Sequence, residues 1–318
     1  MKTYEPKPLF LERMSALLGK DMGSYLEFLK KPLARSIRTN TLKISPEKLK
    51  ERLESLGWII DQPFKDHPEI MIIKNELAPG ELGRSMEHLL GYYYVQEIAS
   101  MLSVLALKPG SGELVLDIAA APGSKTTQIA AVMKNTGTII ANDVSLKRLK
   151  ILASNIERCG ATNTIITKKD GIALCRRLKE QGFLFDKILV DAPCSGEGTL
   201  RSSPITYQMW NPRTIKILSR LQKALLASSI EILKPGGEIV YSTCTHAPEE
   251  NEEVVDFVLK KFENDIGIEK INLPVKCRPG INKWLDNDYD KDIEKSCRIY
   301  PQDNDTEGFF IAKLRRIK

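Results

Sequence analysis

From Gly110 onward, short β-rich runs alternate with helical segments, and this alternation limits the chain to very few folds. The runs are Leu114–Ile118, Thr138–Asn142, Thr164–Thr167, Lys187–Val190 and Glu238–Tyr241. A strand that returns to the same sheet through a helix must lie parallel to its predecessor, so the pattern predicts a doubly wound parallel sheet with helices on its faces. The segment Lys234-Pro235-Gly236-Gly237 is expected to stop a helix just before the fifth run. A last strand is expected over Gly308–Leu314, antiparallel to one around Cys297–Tyr300.

Upstream the pattern is different. Phe10, Met14, Leu17, Leu18, Tyr25, Leu26 and Leu29 recur at helical spacing over residues 10–31. Ser36–Leu42 reads as a strand with exposed polar alternates, a helix opens at Ser45-Pro46 and runs to Leu56, and Ile70–Ile73 is a further strand. This suits a small α/β module over 1–105, followed by the large α/β domain over 106–318. Residues 1–50 carry eleven Lys/Arg against five Asp/Glu, a balance equal to the whole chain's +6, so the rest is neutral. Such an arm can contact phosphates, and Lys30, Lys31, Arg35, Arg38 and Lys43 are its candidate residues.

The N-terminal stretch Met1–Lys7 has charges and a proline where a signal peptide needs an apolar run, and no segment approaches a membrane span. The expectation is a cytoplasmic protein without a membrane partner. Six cysteines show no C-x-x-C pair, and only His67, His88 and His246 could complete a metal site. Neither a zinc site nor a disulfide framework is expected, and the cysteines should stay free.

Ligands of open parallel sheets bind beyond the carboxyl ends of the strands. The first run leads into Asp117-Ile118-Ala119-Ala120-Ala121-Pro122-Gly123-Ser124-Lys125-Thr126, whose small residues let a ligand approach the backbone before a helix begins. The second ends in Asn142-Asp143, suited to a ribose diol. The third ends in Asp170-Gly171, suited to an adenine amino group, and the fourth in Asp191-Ala192-Pro193-Cys194-Ser195-Gly196. A dinucleotide would need G-x-G-x-x-G after the first strand, and a P-loop would need G-x-x-x-x-G-K-[ST]; neither is present. An adenosine cofactor without a phosphate cradle fits this pattern, and S-adenosylmethionine is such a molecule.

The runs Ala119–Thr126, Asp191–Gly196 and Tyr241-Ser242-Thr243-Cys244 together resemble the Sun/RsmB-type (NSUN) family of RNA 5-methylcytosine methyltransferases. So do Arg38–Lys43, His88–Glu97 and Gly308-Phe309-Phe310. The resemblance implies a Rossmann-like class I methyltransferase sheet preceded by a small α/β RNA-binding domain, with S-adenosylmethionine as cofactor and no metal.

It also implies roles. Ala119, Ala120, Ala121, Pro122, Gly123, Ser124 and Lys125 would line the methionine and ribose part of the cofactor, Asp143 the ribose and Asp170 the adenine. Asp191 would face both cofactor and target base, and Arg148 would touch the cofactor. Cys244 would attack the ring and Cys194 would assist release. The family usually has a second glycine where this chain has Ser124, and the serine is expected to cap the following helix. The chain's length resembles the compact members that act on transfer RNA, so tRNA is favoured over rRNA, with a monomer as the expected form.

Overall fold

The structure, a computed structural model, describes residues 5–318. The stretch Met1–Tyr4, part of the signal-peptide reading, lies outside the described residues. Two helices come first, Pro8–Leu18 and Met22–Lys30. The single helical stretch expected over 10–31 is broken at Gly19, whose φ of +53° cannot continue a right-handed helix. The apolar faces of both helices, with Phe10, Met14, Leu18 and Tyr25, pack against Leu200, Tyr207, Trp210 and Ile215 of the later chain. Phe10 meets the rings of Tyr207 and Trp210 edge-on, each at 5.5 Å.

A four-stranded antiparallel sheet follows, built from β1 (Arg35–Thr39), β2 (Ile60–Asp61), β3 (Ile70–Ile73) and β4 (Tyr93–Val95) in the order β2-β3-β1-β4. The helix Pro46–Ser55 starts where expected, with Ser45 accepting from the Lys48 amide. Its Leu49 and Leu53 pack on Ile37, Trp58, Met71 and Tyr93. The polar alternates of β1 were expected to be exposed, but Ser36, Arg38, Thr39 and Asn40 are all buried. The second domain covers Arg38 and Asn40: Asn40 Nδ2 donates to Cys159 O at 2.7 Å, and Arg38 reaches Ser124 and Thr127, whereas Thr39 on the other face lies against Met71 of β3.

The large sheet contains β5 (Leu114–Asp117), β6 (Thr138–Asn142), β7 (Thr164–Thr167), β8 (Phe185–Asp191) and β9 (Leu233–Thr243), all parallel in the order β7-β6-β5-β8-β9. Beyond them β10 (Ile266–Glu269), β11 (Arg278–Pro279), the hairpin β12 (Lys283–Trp284) and β13 (Asn287–Asp288), β14 (Cys297–Ile299) and β15 (Phe309–Arg316) complete the chain. β15 lies antiparallel between β9 and β14, as the sequence predicts. The Lys234–Gly237 segment does not end a helix: the helix Pro212–Ile230 stops earlier, and the segment lies inside β9. There the register against β8 slips between Phe185 and Lys187, a bulge that Gly236 accommodates at φ +78°.

The helix Ile98–Leu107 joins the two sheets and packs on β8, β9 and β15. The division expected at residue 105 therefore falls within an element that belongs to the larger core. Cys277 and Cys297 form a disulfide, which corrects the expectation that all six cysteines stay free. The pairing of Pro279 with Cys297 in the β11–β14 ladder brings the two together, a contact that residue spacing does not encode. Cys159 and Cys175 are free and buried, as the plain reading held.

Candidate active site

The carboxyl ends of β5, β6, β8 and β9 face one cleft of about 290 Å³. Asp143, Asp170, Asp191, Cys194 and Cys244 line it, with Ala119, Ala121 and Arg148. A second chamber of about 350 Å³ adjoins it and is lined by Ala120, Pro122, Ser124 and Lys125 together with Glu97, Glu307 and Phe309. The two share Ala119, Ala121, Arg148, Asp191, Ala192 and Cys244. Two ligands bound side by side would thus meet at Asp191 and Cys244.

In the first cleft Asp143 is 2% exposed, and its Oδ1 accepts from Ser145 N at 2.9 Å. Its Oδ2 makes an ion-pair contact with Arg148 Nη1 at 2.9 Å but receives no aligned hydrogen bond. A buried acceptor open to a cleft suits a ribose hydroxyl. Asp170 is exposed and gives Oδ1 to Ala173 N at 3.0 Å, capping the helix Gly171–Glu180. Ile118, Ile172, Leu221 and Leu225 add apolar surface for a flat ring. These features fit S-adenosylmethionine.

Gly123 lines neither cavity. At φ +106° it is itself the N-cap of the helix Ser124–Val132, and a Cβ there would sit 2.9 Å from Leu152 Cδ1. Ser124 is therefore the first helical residue and caps nothing, contrary to expectation. Its carbonyl accepts from Arg38 Nη1 at 2.7 Å. The neighbouring carbonyls are also taken, Pro122 O by Asn155 Nδ2 at 2.9 Å and Ala121 O by Arg148 Nη2. The loop is held by its oxygens.

At the junction Cys194 Sγ and Cys244 Sγ are 2.9 Å apart, and Cys244 N donates to Cys194 Sγ at 3.3 Å. The hydrogen bond to Cys244, and then burial, hold the Cys194 thiol well above its ordinary pKa. Asp191 accepts from Lys125 Nζ at 2.7 Å and from Ser242 Oγ at 2.9 Å, so both oxygens are fixed. Lys125 also donates to Ser100 Oγ at 2.9 Å. Beneath the Cys194 loop, Glu250 accepts from Ser195 N and Gln222, and burial pushes its pKa up to about 7.

Sequence reasoning assigned no role to several groups here. Glu97 caps the helix Ile98–Leu107, and burial pushes its pKa up to about 7. Glu307 precedes the Gly-Phe-Phe run. Both stand in or beside motifs that the sequence displays, which was the available signal. Asp117 is fully buried, accepts from Thr126 Oγ1 at 2.7 Å, and is pushed up to about 7 by burial. Its folded pKa exceeds the unfolded value of about 3.9, so folding takes up a proton between those pH values. The stabilising contribution is complete below about pH 4 and is lost as pH rises to about 7. Asp117→Asn should therefore gain stability relative to the parent as pH rises from 4 to 7.5. A pH-independent difference in Tm would contradict this.

Two joined cavities at the ends of a parallel sheet, one suited to an adenosine and holding a thiol pair, the other reaching Cys244 of that pair, define a Rossmann-like methyltransferase. Residues 104–315 match the 16S rRNA methyltransferase RsmB/F family, and residues 7–98 match the N-terminal domain of 16S rRNA methyltransferase RsmF. The chain belongs to this RsmB/F family of S-adenosylmethionine-dependent RNA cytosine-5 methyltransferases.

A tRNA (cytosine(49)-C(5))-methyltransferase from Pyrococcus abyssi is 42% identical over 306 residues, covering 96% of this chain and 95% of that relative. A ribosomal RNA small subunit methyltransferase F from Aliivibrio salmonicida is 41% identical over 299 residues. That match covers 93% of this chain, which spans only 60% of the relative's length. The crystal structure of NSun6 from Pyrococcus horikoshii with SFG superposes with a TM-score of 0.83 at 28% identity, covering 98% of each chain. Among the described residues no helix is long and apolar enough to cross a membrane, and no three His, Cys, Asp or Glu side chains gather as a metal site.

Proposed function

We propose that this protein transfers a methyl group from S-adenosylmethionine to carbon 5 of a cytosine in transfer RNA, in the cytoplasm, through a covalent bond between Cys244 and the ring. The observation that carries the reading is the thiol pair at 2.9 Å, standing where the two cavities meet. Bound S-adenosylmethionine supplies an electrophilic methyl. The residues of the chain do the rest.

Carbon 5 of cytosine is too weak a nucleophile to take that methyl unaided. Cys244 Sγ bonds to carbon 6, the ring's double-bond electrons move toward carbon 5 and the N3 side, and carbon 5 becomes nucleophilic. The Cys244 proton passes to N3, which neutralises the negative charge developing there, and Asp191, pinned by Lys125 and Ser242, accepts from the resulting N3–H. Once carbon 5 is methylated, water in the open chamber takes its hydrogen as a proton, the electron pair re-forms the double bond, the Cys244–carbon 6 bond breaks, and the proton held at N3 returns to Cys244. Cys194 assists this release in this reading, its sulfur standing 2.9 Å from the departing sulfur of Cys244. The base must leave its stack to enter the second chamber, which a loop or junction makes easier.

Ala119, Ala121, Asp143, Arg148 and Asp170 hold the cofactor in this reading, and Ala120, Pro122, Ser124 and Lys125 lie on the base side. Asp143→Ala should weaken cofactor binding by about 1.5–3 kcal/mol without RNA present. Asp170→Ala should cost less, because that carboxylate is exposed and already caps a helix. Calorimetry that finds the parent affinity in both variants would remove these assignments.

Transfer RNA is supported by the relative that matches along nearly all of both chains. The second reading, small-subunit ribosomal RNA, is favoured by the match of residues 7–98 to the RsmF N-terminal domain. Incubation of the purified protein and S-adenosylmethionine with unmodified tRNA and 16S rRNA, followed by bisulfite sequencing, decides between them. New 5-methylcytosine in neither would defeat the proposal.

A further inference from the structure

The second chamber contains an acceptor that the protein leaves unused. Glu307 is 4% exposed and lines that chamber. Its Oε1 accepts from Ser202 N at 2.8 Å, whereas Oε2 has no hydrogen-bond partner among the described residues. Buried carboxylate oxygens are ordinarily paired. The partner of this one is to be sought in what the chamber receives.

The carboxyl is held on the same scaffold as Cys244. Gly198 N donates to Cys244 O at 2.9 Å, and Gly308 N donates to Gly198 O at 2.8 Å, so a short ladder runs from the thiol-bearing residue to the one after Glu307. A side chain on Gly198 would run into the Gly308 carbonyl, which explains why this crossing is built from glycines. Glu307 N donates to Glu97 Oε1 at 3.1 Å, fixing the other side. Burial raises the Glu307 pKa, and the Ser202 amide and nearby Arg201 oppose that shift.

Acids outnumber bases in the chamber. Glu97, Asp117, Asp191 and Glu307 line it with Lys125 and Arg148, and both cations are already engaged, Lys125 by Asp191 and Ser100 and Arg148 by Asp143. Such a wall disfavours phosphates and carbonyl lone pairs and favours N–H donors. Cytosine and uracil have the same shape, and a thiolate can add to carbon 6 of either. They differ at position 4, where cytosine offers an amino donor and uracil a carbonyl acceptor. The thiol chemistry does not discriminate between them, so the walls must.

We propose that Glu307 Oε2 accepts a hydrogen bond from the exocyclic amino group of the target cytosine and so sets the choice of cytosine over uracil. This rests on the reading of the chamber as the base site. A polar site built for one hydrogen bond rejects an analogue that cannot make it, because its own group is then left unpaired. The other donor on the same nucleotide is the ribose 2′-hydroxyl, and the test separates the two.

Transcripts of the methylated RNA are prepared with 5-fluorocytidine at the target, with 5-fluorouridine there, or with 2′-deoxy-5-fluorocytidine there. Fluorine cannot leave carbon 5 as a proton, so the bond to Cys244 persists and adduct formation can be timed on denaturing gels. The parent protein should trap fluorocytidine at least tenfold faster than fluorouridine. Glu307→Gln, whose single carbonyl oxygen is taken by Ser202 N so that an NH2 stands where Oε2 was, should lose roughly tenfold of that preference. Glu307→Asp, which keeps the acceptor, should retain part of it. Cofactor affinity, measured in parallel, should be unchanged and shows that the variants are folded. An intact preference in Glu307→Gln overturns the inference. So does a loss confined to the ribose-over-deoxyribose preference, which would make the hydroxyl the donor. If the parent traps no fluorocytidine, the base-site reading itself fails.

Discussion

Cys194→Ala should accumulate a protein–RNA species that survives denaturing electrophoresis, while its multiple turnover falls by a factor of about a thousand or more. The variant keeps the attacking thiol but loses the second sulfur that faces it at 2.9 Å, so addition and methyl transfer proceed and release does not. Cys244→Ala should bind RNA and cofactor yet form no adduct at all. The two variants thus stop the same reaction on opposite sides of the methyl transfer. An adduct that persists in Cys244→Ala and disappears in Cys194→Ala would exchange the two roles while leaving the reaction class in place.

Arg38→Ala should lower stability by about 3 kcal/mol or more and weaken cofactor binding roughly tenfold. Its guanidinium is 1% exposed and donates to Ser124 O at 2.7 Å, to Thr127 Oγ1 at 3.0 Å and to Gln96 Oε1. Removing it orphans buried acceptors and releases one of the anchors of the cofactor loop. Burial lowers its pKa to about 10, still high enough to keep it charged at pH 7. Thermal melts and cofactor titrations read the effect directly. RNA affinity should instead follow Lys30 and Lys31, which are exposed at the end of the second helix. A stable Arg38→Ala with normal cofactor affinity and impaired RNA binding would restore the phosphate-contact role that the sequence suggested.

Arg38 also shows where reading the sequence stops. The alternation of strands and helices follows from local periodicity, so β5, β6 and β7 lie where it puts them. The acids at the strand ends are legible for the same reason, since strand ends are local features. What periodicity cannot reveal is which surface another domain covers. Arg38 and Lys43 count as free cations in the sequence, but Arg38 is buried, and Lys43 Nζ donates to Leu90 O at 2.9 Å and Arg158 O at 2.7 Å. The Cys277–Cys297 bond and the unpaired oxygen of Glu307 depend likewise on contacts that only the folded chain creates. Ser124 was misread for a smaller reason, because the preceding glycine takes the capping position.

The two N-terminal helices carry a consequence for how the protein is made. They emerge from the ribosome well before residues 200–215, on which their apolar faces rest, and Lys7 Nζ donates to Trp210 O across a separation of 203 residues. At about 5–20 residues per second, that partner surface is completed roughly ten to forty seconds after the helices appear. During this interval Phe10, Met14, Leu18 and Tyr25 have no native surface to cover them, so the nascent chain presents an amphipathic segment that a holding chaperone would bind. Slowing translation between residues 31 and 200 would lengthen that exposure without changing any contact in the finished enzyme.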